Sequence, residues 1–184
     1  MSKFFLLLSL AIVLSSCQER QNTTLQPDDE LIALQELLAA QTSQLMNRNL
    51  SKTVIAKNKT VSKELMMDST LFLKDLEFLN SKKIIKVFGA GNYAKENEEK
   101  FSIYKRRNGV KNGPVQMKVS YDDNDLISEV EINEDTENTL FSSGFKFIMK
   151  FENQLLKEYT IRGVQKIIGL EPSEYVIIGK VSLD

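Results

Sequence analysis

The chain has no histidine, no tryptophan and a single cysteine, and its 24 basic and 25 acidic residues nearly cancel. Each scarcity excludes something. Histidine is the commonest general base and a leading metal ligand, so its absence rules out Ser-His-Asp and Cys-His catalysis and the His-containing zinc sites. One cysteine cannot close an intramolecular disulfide. A balanced charge lacks the basic excess of a nucleic-acid binder. After residue 16 no stretch is apolar enough to span a bilayer. The 184 residues suffice for one domain of ordinary size with a single core.

What is present begins at the N-terminus. Lys3 supplies a short positive region, and Phe4 to Val13 is apolar and uncharged. That length suits the central region of a secretory signal and falls well short of the ~20 residues of a membrane-spanning helix. Leu14-Ser15-Ser16-Cys17 follows, a branched apolar residue and two small ones before the cysteine. This pattern resembles the lipobox of bacterial lipoproteins. The resemblance covers residues 1–17 only. It implies cleavage between Ser16 and Cys17, a diacylglyceryl group on the Cys17 thiol and an acylated new amino terminus. Loss of residues 1–16 removes Lys3 and no acid, taking the formal net charge from −1 to −2. The plainer alternative is a buried helix ending in an inert thiol.

Residues 18–29, QERQNTTLQPDD, are polar, with one proline and no aromatic residue, the composition of a flexible spacer. Gln18 replaces the aspartate that retains lipoproteins in the inner membrane of enteric bacteria. The expected location is therefore the cell envelope, lipid-anchored, at the outer rather than the inner membrane where there are two. Residues 30–184 form the expected single domain, with helices over about 30–83 and a sheet over about 101–184.

Asp28-Asp29-Glu30 after Pro27 reads as a helix start. Leu31, Leu34, Leu38 and Leu45 make one amphipathic stripe. Asn47–Thr60 is polar and weakly periodic and reads as a break. Val61, Leu65, Phe72, Leu76 and Leu79 suggest a second helix, ending near 80–83. From Phe101 the period becomes two. Val115, Met117, Val119 and Tyr121 alternate with polar residues, as do Leu126, Val130 and Ile132, around an Asp-Asn turn, DDND. Pairing Tyr121 with Leu126 sets Met117 opposite Val130, Val115 opposite Ile132 and Lys118 opposite Glu129. The unit recurs: MKVSYDDNDLISEVEI aligns with FIMKFENQLLKEYTI after one deletion, matching Tyr121 to Phe151, Leu126 to Leu155, Glu129 to Glu158 and Ile132 to Ile161. It loosely resembles the aromatic-Asp-turn-Leu hairpins of many bacterial surface proteins. FSIYKRRNG and YVIIGKVSL add a strand each. The expected fold is α+β: N-terminal amphipathic helices packed on one face of an antiparallel meander of about six strands. Its buried face includes Met117, Val130, Phe147 and Tyr159. A β-sandwich with detached helices is the alternative.

The chemical motifs are incomplete. Gly89, Gly91 and Ala94 approach a dinucleotide fingerprint, but antiparallel strands follow in place of a βαβ unit. Asp122–Asp125 begins like a calcium loop, yet Leu126 and Ile127 stand where ligands are required. No catalytic residue, metal ligand or cofactor site is expected, and neither nucleotide nor nucleic acid is an expected partner. Lys105, Arg106, Arg107 and Lys111 form a basic hairpin tip, either a solvated loop or a contact for an acidic partner. Asp68-Ser69-Thr70 matches a short O-glycosylation acceptor motif of some Bacteroidota, which would modify Ser69. Tyr104, Ile127, Ile148, Leu156, Val176 and Ile178 fall on the face assigned to solvent, where a contiguous patch would mark a partner surface. The functional expectation is a membrane-anchored, non-enzymatic binding or assembly lipoprotein, held by its N-terminal lipid and contacting an envelope protein through the basic tip or Ile148. The alternatives are an inhibitor or immunity-type protein acting on an envelope enzyme, and a hydrolase using carboxylates.

Overall fold

The computed structural model describes residues 28–57, 59–68, 81–138 and 140–183. Across them run helix α1 (Asp29–Gln44), strands β1 (Asn49–Ala56) and β2 (Lys59–Met66), and helix α2 (Ser81–Phe88). Then come β3 (Tyr93–Asn97), β4 (Phe101–Arg106), β5 (Gln116–Tyr121), β6 (Ile127–Glu137), β7 (Phe141–Glu152), β8 (Leu155–Ile167) and β9 (Ser173–Val181). All nine strands belong to one antiparallel sheet, ordered β2-β1-β9-β8-β7-β6-β5-β4-β3. From β3 to β9 it is a meander. The first hairpin in sequence, β1–β2, joins the last strand through β1 and β9.

This corrects the expected fold. The sheet has nine strands, not about six, and only two short helices occur among the described residues. Asn47–Thr60, expected as a break, contains β1, and Val61 and Leu65, expected on a helix, lie in β2. Phe72, Leu76 and Leu79 lie outside the described residues, as do Ser16, Cys17 and Ser69. The cause of the miss is physical. β1 has weak alternation of its own, its neighbouring partner β2 is mostly exposed, and its other partners, Val181, Ile177 and Tyr175, lie more than a hundred residues away. Strand propensity is largely a statement about such neighbours.

The first helix does form where its leucines predict. Asp28 caps it, with its carboxylate accepting from the Glu30 amide at 3.0 Å. Leu31, Leu34, Leu37, Leu38 and Gln41 are buried beneath it, and Leu45, the C-cap, is fully buried. With α2 it covers the apolar sheet face, whose core includes Met117, Val119, Val130, Ile132, Phe147, Met149 and Tyr159. Along β8 and β9 two tyrosines lie over glycines on the paired strand. A Cβ at Gly179 would stand 2.2 Å from a Tyr159 ring carbon, and one at Gly163 the same distance from Tyr175. Only glycine admits so close an approach.

The hairpin register also departs from expectation. Met117 faces Ile132 rather than Val130, and Lys118 faces Glu131 rather than Glu129. Ser120 pairs with Glu129 but Tyr121 pairs with Ile127, so Ser128 is an extra residue. The bulge reverses the phase of the strand end: Ile127 is buried and Leu126 is 42% exposed. The same event at Lys157 in β8 buries Leu156, because Lys150 pairs with Glu158 and Phe151 with Leu156. Ile127 and Leu156, assigned to solvent by strict alternation, are therefore core, and so is Tyr104.

Candidate interaction face

Two polar constellations stand out, one on each face. On the covered face, the start of α1 is fastened to the β3–β4 edge. Lys95 Nζ lies 2.6 Å from Asp28 Oδ2 and 2.8 Å from Glu30 Oε2. The Tyr104 hydroxyl donates to Asp28 Oδ2 at 3.2 Å. Phe88 packs its ring on Tyr93 and Tyr104 at centroid distances of 4.5 and 6.0 Å, and the Tyr93 hydroxyl donates to the Pro114 carbonyl at 2.8 Å. Burial works to raise the Asp28 carboxyl, but Lys95, the Glu30 amide and Tyr104 together hold it below the usual 3.8. Burial works to lower Lys95, and the two carboxylates raise it above 10.5. Burial, reinforced by the carboxylates of Glu30 and Asp28, pushes the Tyr104 hydroxyl well up.

A carboxyl with a lowered folded-state value stabilises above its ordinary pKa and loses that contribution as pH falls. An amine with a raised value stabilises below its ordinary pKa and loses it as pH rises. This latch is therefore intact between about pH 4 and 10. Its two carboxylates already share an ammonium, so its chemistry is that of a fastening. No sequence motif pointed to it, because its members sit at 28, 30, 95 and 104 and meet only where the start of α1 lies across the paired β3 and β4. Among the described residues no group of three or more acidic or thiol ligands is placed to hold a metal.

The opposite face carries none of the described helices. Its side chains form rows running across the strands. One row is Phe101, Ser120, Glu129, Lys150, Glu158, Lys180 and Ser51. Here Glu158 lies 3.5 Å from Lys150 and 3.7 Å from Lys180, a ladder of alternating sign. The next row is Ile103, Lys118, Glu131, Ile148, Thr160, Ile178 and Thr53. Lys146 pairs with Glu131 at 2.8 Å, and Lys118 stands 4.2 Å from the Phe101 ring centroid. Burial works to raise the Glu131 carboxyl, yet Lys146 and Asn133, aided by Lys118, hold it below its usual value. Val176, next to Ile178 on this face, is paired with Ile55 of β1. Ile148, Thr160, Ile178, Val176 and Ile55 thus form an uncharged strip, with the Glu158 ion pairs on one side and the Glu131–Lys146 pair and Arg162 on the other.

The structure separates the residues expected at a partner contact. Lys105 shares this face with Ile148 but is paired with Glu96 at 2.6 Å. Arg106 Nη1 donates to the Gly113 carbonyl at 2.7 Å and Arg107 Nε to the Tyr93 carbonyl at 3.1 Å, so both arginines brace the loop after β4. Lys111 is exposed on that loop. Of the six residues assigned to the outer face, Ile148, Val176 and Ile178 are there, half-buried, and Tyr104, Ile127 and Leu156 are in the core. Sequence reasoning missed Thr160 and Ile55; Ile55 could have been found only by knowing that β1 joins β9.

None of the described helices is long and apolar enough to cross a membrane. No family model matches the chain, and neither a curated protein nor a solved structure matches it.

Proposed function

We propose that this protein is a lipid-anchored, non-enzymatic binding or assembly protein of the bacterial cell envelope, placed at the outer rather than the inner membrane, and that it meets a protein partner through the outer sheet face around Ile148. The anchor rests on the lipobox resemblance at residues 1–17. The contact rests on one observation: the uncharged strip from Ile148 to Ile55 lies open on a broad face and is bordered by charged residues, among them the ion pairs of Glu131 and Glu158. An uncharged centre within a polar rim is the layout of a protein–protein interface. The sheet beneath it supplies the rigid support that such a patch needs.

The anchor and the contact are tested separately. Cys17→Ser should abolish lipid labelling and release the chain from membranes; a labelled, membrane-bound variant would exclude the lipobox reading. A photoreactive residue at Ile148 should capture a partner that Ile148→Lys no longer co-purifies. Loss of the adduct on charge reversal at Lys111, with Ile148→Lys without effect, would move the contact to the basic loop. Turnover of a substrate by the purified chain, lost on replacing one carboxylate, would overturn the non-enzymatic reading.

A further inference from the structure

Among the described residues twelve large hydrophobic ones are exposed, and they are unevenly distributed. Six of them, Leu140, Val164, Ile167, Ile168, Leu170 and Tyr175, lie at one end of the sheet, on or beside the β6–β7 and β8–β9 turns. Leu140, Ile168 and Leu170 are 66%, 66% and 63% exposed. The two turns are one unit, since the Ile168 amide donates to the Leu140 carbonyl at 3.0 Å. They cap β7 and β8, the longest strands of the sheet at 12 and 13 residues. The exposed aliphatic side chains are therefore gathered at one end of the longest strands.

We propose that this aliphatic tip enters the headgroup and upper acyl region of a zwitterionic bilayer. Three observations select a bilayer as the occupant. First, the amides of the three most exposed aliphatic residues of the tip, Leu140, Ile168 and Leu170, are already bonded. Leu140 N donates to Asn138 Oδ1 at 2.9 Å, Phe141 N to the Asn138 carbonyl at 3.4 Å and Leu170 N to the Ile167 carbonyl at 3.0 Å. Backbone donors already bonded within the turns carry no desolvation cost into lipid. Second, the collar is electrically balanced, with Lys57, Lys59 and Lys166 against Glu137, Glu171 and Glu174. That matches phosphocholine and gives no reason for an anionic lipid. Third, ten residues, 18–27, separate Cys17 from Asp28. Ten extended residues span at most ~36 Å, enough for the tethered domain to turn this end to the surface. Only this reach rests on the anchored reading.

The test uses the mature lipidated chain in phosphatidylcholine vesicles. With the Cys17 thiol acylated, Ile168→Cys supplies one reactive thiol for an environment-sensitive fluorophore. Its emission should shift to the blue and be lost when brominated acyl chains are introduced, and neither change should respond to added salt. A fluorophore at Asp123→Cys, in the turn at the opposite end of the sheet, should remain unquenched. Introducing Leu170→Asp and Leu140→Asp together should abolish quenching at 168. Equal quenching at 123 and 168, or none at 168, overturns the proposal. So does a photoreactive residue at 168 that captures a protein in native membranes in place of lipid. Labelling of the wild-type chain through Cys17 would instead show that the anchor reading had failed; quenching at 168 is then read in a Cys17→Ser background with vesicles added.

Discussion

The β5–β6 and β7–β8 hairpins share one sequence pattern, and comparing them shows where that pattern stops acting. Both carry a register shift at the same place, with Ser128 and Lys157 as the extra residues. Both bury the residue just before it, Ile127 or Leu156. Their turns differ. The first is closed by its own side chain: Asp122 Oδ1 accepts from the Asn124 and Leu126 amides at 2.9 and 3.0 Å, with Asp125 at φ 59°. The second is a two-residue turn, Asn153-Gln154, with both residues at positive φ, 50° and 64°. Its closure comes from α1. Gln41 donates to the Gln154 carbonyl at 2.9 Å and accepts from the Leu156 amide at 2.8 Å. The first turn is satisfied by its own side chain; the second is braced by a helix more than a hundred residues earlier.

The largest expected effect tests the shared part. Phe147 is 1% exposed and Met117, its counterpart in the first hairpin, 0%. Phe147→Ala should cost about 3–5 kcal/mol and Met117→Ala about 2–5 kcal/mol in chemical denaturation. A large gap between them would mean that only one hairpin carries the core.

A smaller effect sharpens the difference between the turns. Gln41→Leu keeps the volume but strands the buried Leu156 amide and the Gln154 carbonyl, so it should cost roughly 2–4 kcal/mol. Asp122→Ala leaves its two amides exposed to water, so its cost should be roughly 1 kcal/mol or less. Equal costs would show that α1 does not complete the second turn.

The smallest effect concerns the outer row, where the hairpins present different chemistry. The first offers Lys118 and Glu131; the second, at matching positions, offers Ile148 and Thr160. Lys118→Ala should cost under ~1 kcal/mol, because the site is solvated and Glu131 keeps Lys146. It should also leave the Ile148 photo-adduct intact. Loss of the adduct would extend the contact onto the first hairpin.

Much of the sheet was legible locally. The alternation over 115–132, the repeat at 147–161 and the leucine spacing of α1 each report neighbours a few residues away. Met117, Val130, Phe147 and Tyr159 are buried as alternation requires. The register was misplaced by two residues because a bulge leaves no mark in hydrophobic pattern: Leu126 and Ile127 are both aliphatic, and either suits the core. The arginines at 106 and 107 read as a free basic tip because sequence cannot show that the Gly113 and Tyr93 carbonyls lie within their reach.

The amino-acid order by itself determined the antiparallel hairpins, the capped first helix, the lack of histidine chemistry and the resemblance of residues 1–17 to a lipoprotein signal, since each depends on composition or on spacing within one element. Tertiary structure decided the rest. The β1–β2 hairpin took its place in the sheet only through the pairing of β1 with β9. Asp28, Glu30, Lys95 and Tyr104 became a latch only when α1 lay across β3 and β4. Ile148, Ile178, Val176 and Ile55 became one strip only by lateral pairing. In a sheet the neighbours that matter are those across the strands, and their distance along the chain has no fixed period from which they could be read.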